Sequence, residues 1–183
     1  RIWDLSTLQG VRLSKPPIVL TGHRDRITDL AWSPQGDRLA SASYDGTARL
    51  WDTTQVDGGK VKLVAVLKGH TGKVRSVAFH PKDRILISGG QDKEIRVWDA
   101  QTGNSRDVLA TADHPLSALA FSPEGNFIIA GNYTPPRPDH VTLFTYPQGR
   151  PHLLFDGHDN VVVSTAFHPK GNWVATAGGD QKE

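Results

Sequence analysis

The sequence predicts an all-β fold assembled from a repeated antiparallel meander. Three observations carry that expectation. Short apolar runs end at Gly, Pro or Asp, the punctuation of strands joined by tight turns. Gly and Pro account for 18 and 12 of the 183 residues and hydrophobic residues for 37%, a balance that suits many short strands better than a helical bundle. Finally, one unit recurs along the chain at fixed internal spacing.

The clearest copy spans 69–99. Val74 to Phe79 is rich in β-branched and apolar residues and stops at His80-Pro81. Arg84 to Ser88 is a second run, turned back by Gly89-Gly90-Gln91-Asp92, and Ile95 to Trp98 is the third. Gly-His pairs stand at Gly22-His23, Gly69-His70 and Gly157-His158. From each His, nine residues lead to an aromatic (Trp32, Phe79, Phe167), nine more to a hydroxyl (Ser41, Ser88, Thr176) and four more to an Asp (Asp45, Asp92, Asp180). Six further residues lead to Trp51 and Trp98, each followed by Asp. His23 and His70 are 47 residues apart, as are Trp51 and Trp98.

A worn copy lies between. It keeps the strand pattern at Leu116 to Phe121, Phe127 to Ile129 and Val141 to Leu143, but carries Ala112, Ala130 and Phe144 where the His, hydroxyl and Trp are expected. Its turn is four residues longer, giving a loop at 131–140 that holds three prolines, Tyr133 and Arg137. Long loops on rigid scaffolds often carry recognition, so removal of 134–138 is expected to spare folding and weaken partner binding.

The chain opens on Arg1-Ile2-Trp3-Asp4, the close of a unit, and stops in mid-unit after Thr176. If Glu183 is placed before Arg1, Asp180 stands six residues from Trp3, the spacing found between Asp92 and Trp98. The chain thus reads as about four units in circular permutation. With no Met, even at position 1, it is expected to be a piece of a longer product.

Composition narrows the chemistry. The formal charge is +2, from 21 basic and 19 acidic residues. A pI of 9.0 on so small an imbalance is no argument for nucleic acid. The absence of Cys excludes a disulfide framework and thiolate chemistry. No apolar run is long enough to span a membrane, and neither a signal peptide nor a membrane partner is expected, which points to a cytoplasmic setting.

The Gly-His to Trp-Asp spacing resembles the WD-repeat β-propeller family in its bacterial-type form, and the resemblance covers the whole chain. It implies a β-propeller of four-stranded antiparallel blades, half or part of a larger ring of seven or eight. Strand a would be innermost (27–32, 74–79, 116–121, 162–167), followed by b (38–43, 84–88, 126–130, 172–177), c (1–4, 47–52, 94–99, 140–145) and an outermost d (17–20, 62–67, 106–110, 152–155). Polar loops would fill 5–16 and 53–61. The units then run as follows: 1–20 supplies strands c and d of a neighbouring or terminal blade, 21–67 is blade 1, 68–110 blade 2, 111–155 a degenerate blade 3, and 156–183 strands a and b of an incomplete blade. In every strand a the residue before the aromatic is Ala: Ala31, Ala78, Ala120 and Ala166. Alternate residues face opposite sides, so a small face opposes a large one where radial sheets crowd together.

The resemblance also implies structural tetrads: His23, Ser41, Asp45 and Trp51; His70, Ser88, Asp92 and Trp98; and His158, Thr176 and Asp180 with Trp3. A Trp offers one N–H that Ser and His can relay to Asp. Ser, His and Asp together also suggest nucleophilic catalysis, but the set repeats once per unit and includes an indole with no catalytic role. No enzyme activity, metal or cofactor is expected: the His residues are a unit apart with no close second ligand, and Gly72-Lys73 lacks the first glycine and the hydroxyl of a phosphate loop. His80 and His168 are expected on surface turns, and Trp32 and Trp173 in packing.

Two functions remain open. One is a non-catalytic platform that presents Arg24, Arg26, Tyr44, Lys73, Gln91, Tyr133, Arg137 and Asn160, from the d–a and b–c loops, to other proteins or peptides. The other is a sensor or regulatory module of a larger protease-like, kinase or nucleotide-hydrolysing enzyme. Strand edges left open at the ends also predict self-association that completes a ring, with Trp3 of one chain beside Asp180 of another. Self-closure into four blades and membership of a longer propeller are the alternatives.

Overall fold

Alternating apolar residues, broken by Gly-, Asp- and Pro-bearing turns, give strands of five to seven residues throughout 27–178. The computed structural model of the chain describes residues 1–10, 12–13, 15–133, 141–158 and 160–179. Near the start, β1 (Leu8–Gln9) and β2 (Arg12–Leu13) make a small hairpin. The first blade is β3 (Ile27–Trp32), β4 (Arg38–Ser43), β5 (Ala48–Asp52) and β6 (Lys62–Leu67). The second is β7 (Val74–Phe79), β8 (Ile85–Gly90), β9 (Glu94–Asp99) and β10 (Ser105–Thr111). The third is β11 (Leu116–Phe121), β12 (Phe127–Asn132), β13 (Val141–Thr145) and β14 (Pro151–Phe155). A two-stranded sheet, β15 (Val162–Phe167) with β16 (Val174–Gly178), begins a fourth. Each blade is an antiparallel meander in which sequence neighbours pair, and the inner strands lie in the order β3, β7, β11, β15. This is a partial β-propeller.

The core lies between blades, not within one. Strand b of each complete blade is covered on both faces, and β8 is buried along its whole length. Adjacent residues therefore feed different cores. Leu86 packs with Leu50, Leu67 and Trp98 between blades 1 and 2, whereas Ile85 and Ile87 pack with Leu116, Leu119 and Ile128 between blades 2 and 3. The alanine of each inner strand shares a core with the aromatic of the next: Ala31 with Phe79, Ala78 with Phe121, and Ala120 with Phe167. A methyl opposite a ring keeps neighbouring sheets close without voids.

Four expectations need correction. Strands c and d at 1–4 and 17–20 reduce to one antiparallel bridge, with Ile2 and Ile18 exchanging 2.9 Å hydrogen bonds. The loop between them, expected to be irregular, holds a 3-10 turn, Leu5–Thr7, capped by the Asp4 carboxylate, together with the β1–β2 hairpin. Gly89 and Gly90, read as a turn, are the last ladder residues of β8, paired with Ser76 and Val74. A Cβ there would stand 2.8 Å from a Leu119 methyl and 2.1 Å from the Lys73 carbonyl oxygen respectively, so only glycine lets the strand run on. Trp32 and Trp173, expected in packing, are 47% and 70% exposed, because no alanine-bearing inner strand covers Trp32 and no blade covers the outer face of β16 among the described residues. The loop at 134–140 lies outside the described residues.

Candidate functional site

Turn chemistry brings each polar set together. The His comes from the loop entering strand a, the hydroxyl from strand b, the Asp from the b–c turn and the Trp from strand c. In blade 1, Trp51 Nε1–H donates to Ser41 Oγ at 3.0 Å, Ser41 Oγ lies 2.8 Å from His23 Nε2, and His23 Nδ1 lies 2.8 Å from Asp45. Blade 2 repeats this with Trp98 to Ser88 at 2.8 Å, Ser88 to His70 at 2.7 Å, and His70 to Asp92 at 2.8 Å. The directions follow from the two ends, since the indole can only donate and the carboxylate can only accept. Nδ1–H therefore donates to the Asp, and in that neutral tautomer Nε2 accepts the serine proton. Burial would raise both carboxyl pKa values, but the hydrogen bonds they accept outweigh it. Asp45 is held well below the usual carboxylate range by Thr47, His23 and the Arg24 N–H, and Asp92 below it by His70 and the Thr71 N–H.

The Ser–His–Asp connectivity is that of a nucleophile relay, but in blade 2 its chemistry is blocked. Ser88 is fully buried, and its oxygen already accepts the Trp98 N–H. A serine with no open approach cannot attack a substrate. Among the described residues, His70, Asp92 and Glu94 place possible metal ligands together, but His70 Nδ1 carries the proton given to Asp92 and Glu94 is committed to Arg96 at 2.6 Å.

The other units differ. In blade 3, Ala112, Ala130 and Phe144 are buried in one apolar cluster with Ile128 and Leu119, so dispersion replaces the polar network. In the last sheet His158 Nε2 lies 2.7 Å from Thr176. Asp180 lies outside the described residues. Trp3 is not brought to Thr176; it is 51% exposed and borders the hollow lined by Ile2, Pro16, Trp32 and Val56.

The face above the tetrads is built by a repeated backbone link. Tyr44 N–H donates to the Arg26 carbonyl, Gln91 N–H to Lys73, Tyr133 N–H to Pro115 and Gly179 N–H to Val161, at 2.7–3.1 Å. Tyr44, Gln91 and Tyr133 are thus structural equivalents, as are Arg26 and Lys73. Arg24, Arg26, Lys73, Gln91 and Tyr133 are exposed, and Tyr44 and Asn160 half-buried; Arg137 lies outside the described residues. Tyr44, Lys73 and Gln91 border an open hollow between blades 1 and 2.

Three features escaped the sequence reading. His80, expected on a surface turn, is 4% exposed. Its ring sits against Phe121 and Tyr146 of blade 3 at 4.9 and 5.4 Å, its Nε2–H donates to the Gly125 carbonyl, and its Nδ1 accepts from the Lys82 and Asp83 amides. A Cβ at Gly125, whose φ is +83°, would meet that ring at 2.1 Å. His168, in the same His-Pro setting, is exposed as expected. A cross-blade relay also appears: Leu119 N–H donates to Ser76 Oγ, and Ser76 Oγ and Val77 N–H both donate to the Asp29 carboxylate at 2.7 and 3.0 Å. Third, Arg75 lies at the face between Tyr44 and Tyr133. Among the described residues no helix is long and apolar enough to cross a membrane.

Known proteins share these units. Gem-associated protein 5 of Homo sapiens is 56% identical over 43 residues, which is 23% of this chain and 3% of that protein. A probable cytosolic iron-sulfur protein assembly protein CIAO1 homolog of Chlamydomonas reinhardtii is 54% identical over 41 residues, 22% of this chain and 12% of that protein. The guanine nucleotide-binding protein subunit beta of Saccharomyces cerevisiae is 49% identical over 39 residues, 21% of this chain and 9% of that protein. Each match is thus a small part of the relative's own length. The family model described as WD domain, G-beta repeat matches residues 14–52, 61–99 and 149–182 and passes over most of blade 3, which has lost its polar set. With more than half of its residues matched and its blades built as described, the chain belongs to the WD40 repeat family.

Proposed function

We propose that this chain is a non-catalytic scaffold that presents the face formed by its d–a and b–c loops to another protein. The observation that carries the reading is the division of labour along each b–c turn. Asp45 and Asp92 turn inward to buried tetrads, while their neighbours Tyr44 and Gln91 turn outward beside exposed Arg26 and Lys73. On this reading the tetrads keep the turns rigid, and the units 21–67, 68–110 and 111–155 act as successive platforms. Rigid loops bind with little ordering cost. One relative is named as Gem-associated and another for iron-sulfur protein assembly, names that support a role in binding other proteins.

The test is site-specific photocrosslinking from Gln91 on this face and from Gln101 in the c–d turn at the opposite side. Protein crosslinks from Gln91 and none from Gln101 are expected; crosslinks from neither position would overturn the reading. A second reading, association of two copies, is favoured by exposed Trp3, Leu30 and Trp32 on one open side and Val163 and Trp173 on the other.

A further inference from the structure

The inner strands all carry a bulge at the same place. The register shifts between Ile27 and Asp29, Val74 and Ser76, Leu116 and Ala118, and Val162 and Ser164, leaving Thr28, Arg75, Ser117 and Val163 as the extra residues. A bulge re-aims the side chain it carries. In blades 1 and 3 that side chain closes the blade-to-blade seam: Thr28 Oγ1 donates to the Val74 carbonyl at 3.0 Å, and Ser117 Oγ to the Val162 carbonyl. Blade 2 has an arginine there. Arg75 makes no such bond and, among the described residues, no hydrogen bond or ion pair at all; its Nε is buried without a partner. Its guanidinium rests 3.3 Å from the Tyr133 ring centroid and 5.1 Å from that of Tyr44. Lys73 Nζ and the Arg26 guanidinium approach the same Tyr44 ring at 4.6 and 5.8 Å, and neither has an ion-pair partner among the described residues. Of the nearby carboxylates, Asp45 and Asp92 hydrogen-bond within their tetrads and Asp25 to the Arg26 amide.

Three cations are thus held around one ring with no ion-pair partner among the described residues. We propose that Arg75, Lys73 and Arg26, walled by Tyr44 and Tyr133, bind the carboxylate or phosphoryl group of an acidic peptide segment. The inference rests on the scaffold reading and names the partner's chemistry. A planar fork already stacked between two rings loses little freedom when it pairs with an anion. The same stacking argues against nucleic acid. Arg75 covers a face of Tyr133 and cations crowd Tyr44, so the rings are not free to stack bases, and the charge is a point cluster, not a stripe following a phosphate backbone.

Fluorescence anisotropy tests the proposal on the full chain with four labelled probes: a Glu-rich peptide, the same peptide with a central phosphoserine, its all-Gln counterpart, and a single-stranded oligouridylate. The acidic peptides are expected to bind, more weakly as salt rises. Arg75→Gln is expected to weaken them about tenfold or more and Lys73→Gln less, while Lys60→Gln, on the opposite side, changes nothing. All variants are checked for unchanged far-UV circular dichroism. If the phosphoserine peptide binds about tenfold tighter than the Glu peptide, the source is a phosphorylated residue; if the two bind equally, it is a carboxylate. Equal binding of the all-Gln peptide, equal binding by both Arg75→Gln and Lys73→Gln, or tighter binding of the oligonucleotide would overturn the proposal. In those cases crosslinks from Gln91 would leave the scaffold reading standing; their absence would remove both.

Discussion

Replacing His70 and Asp92 by alanine, singly and together, measures whether the blade 2 set acts as one unit. The His70 side chain is wholly buried and Asp92 is 5% exposed. Asp92→Ala leaves the buried His70 Nδ1–H without an acceptor and releases the Thr71 amide, bonded at 2.9 Å; a stranded buried donor costs about 1–3 kcal/mol. His70→Ala strands the Ser88 hydroxyl and opens a cavity, for about 2–5 kcal/mol. Because the His–Asp bond is lost in both, the double variant is expected to fall short of the sum by about 1–3 kcal/mol. Urea denaturation followed by circular dichroism reads this from the midpoints at constant slope. Pairing His23→Ala with Asp92→Ala, which share no partner, is the additive control. A His70–Asp92 coupling within about 0.5 kcal/mol of zero would show that the bonds do not act as a network.

Three further outcomes are expected. Ala130→Ser, a hydroxyl placed in the apolar cluster with Phe144, lowers stability by about 1–3 kcal/mol; an increase in the urea midpoint would mean that blade 3 can rebuild a polar link. Asp45 and Asp92 have depressed folded pKa values against an ordinary 3.8, so their contribution is present above about pH 4 and is lost as pH falls through the folded values. The penalty of Asp92→Asn therefore shrinks on acidification below about pH 4, and a penalty that grew instead would reverse the sign of the argument. If the exposed Trp173 and Trp3 faces pair two copies, light scattering gives roughly twice 20.0 kDa and Trp173→Ser lowers it; a wild-type mass of 20.0 kDa would exclude that pairing.

The fold was legible, and so were the hydrogen-bonded sets of blades 1 and 2, because they are written at fixed spacing within one unit; the set expected at His158, Thr176, Asp180 and Trp3 was not assembled among the described residues. The strand a limits expected from the repeat, 27–32, 74–79, 116–121 and 162–167, match β3, β7, β11 and β15, since each aromatic is followed by a turn that ends the ladder. The His-to-hydroxyl and hydroxyl-to-Trp spacings reflect pairs held across one sheet. What stayed hidden depends on the next blade. His80 and His168 have the same local sequence, but the Gly125 turn and the Phe121 and Tyr146 rings cover only His80. Asp29 meets Ser76 across 47 residues, with no motif to announce it. Arg75 looked like an ordinary strand residue because a bulge is invisible in composition, and only the serine and threonine at the equivalent positions reveal what it fails to do.

The claim that buried, indole-terminated networks form the scaffold beneath the recognition face is tested most directly by the exchange rates of the five Trp indole N–H protons, read by nitrogen-15 NMR and assigned with single Trp→Phe variants. Trp51 and Trp98, 5% and 1% exposed and bonded to Ser41 and Ser88, are expected to exchange far more slowly than Trp3, Trp32 and Trp173. Ser88→Ala is expected to speed Trp98 alone. Five indoles exchanging at one common rate, or Trp98 protection that survives Ser88→Ala, would contradict the account.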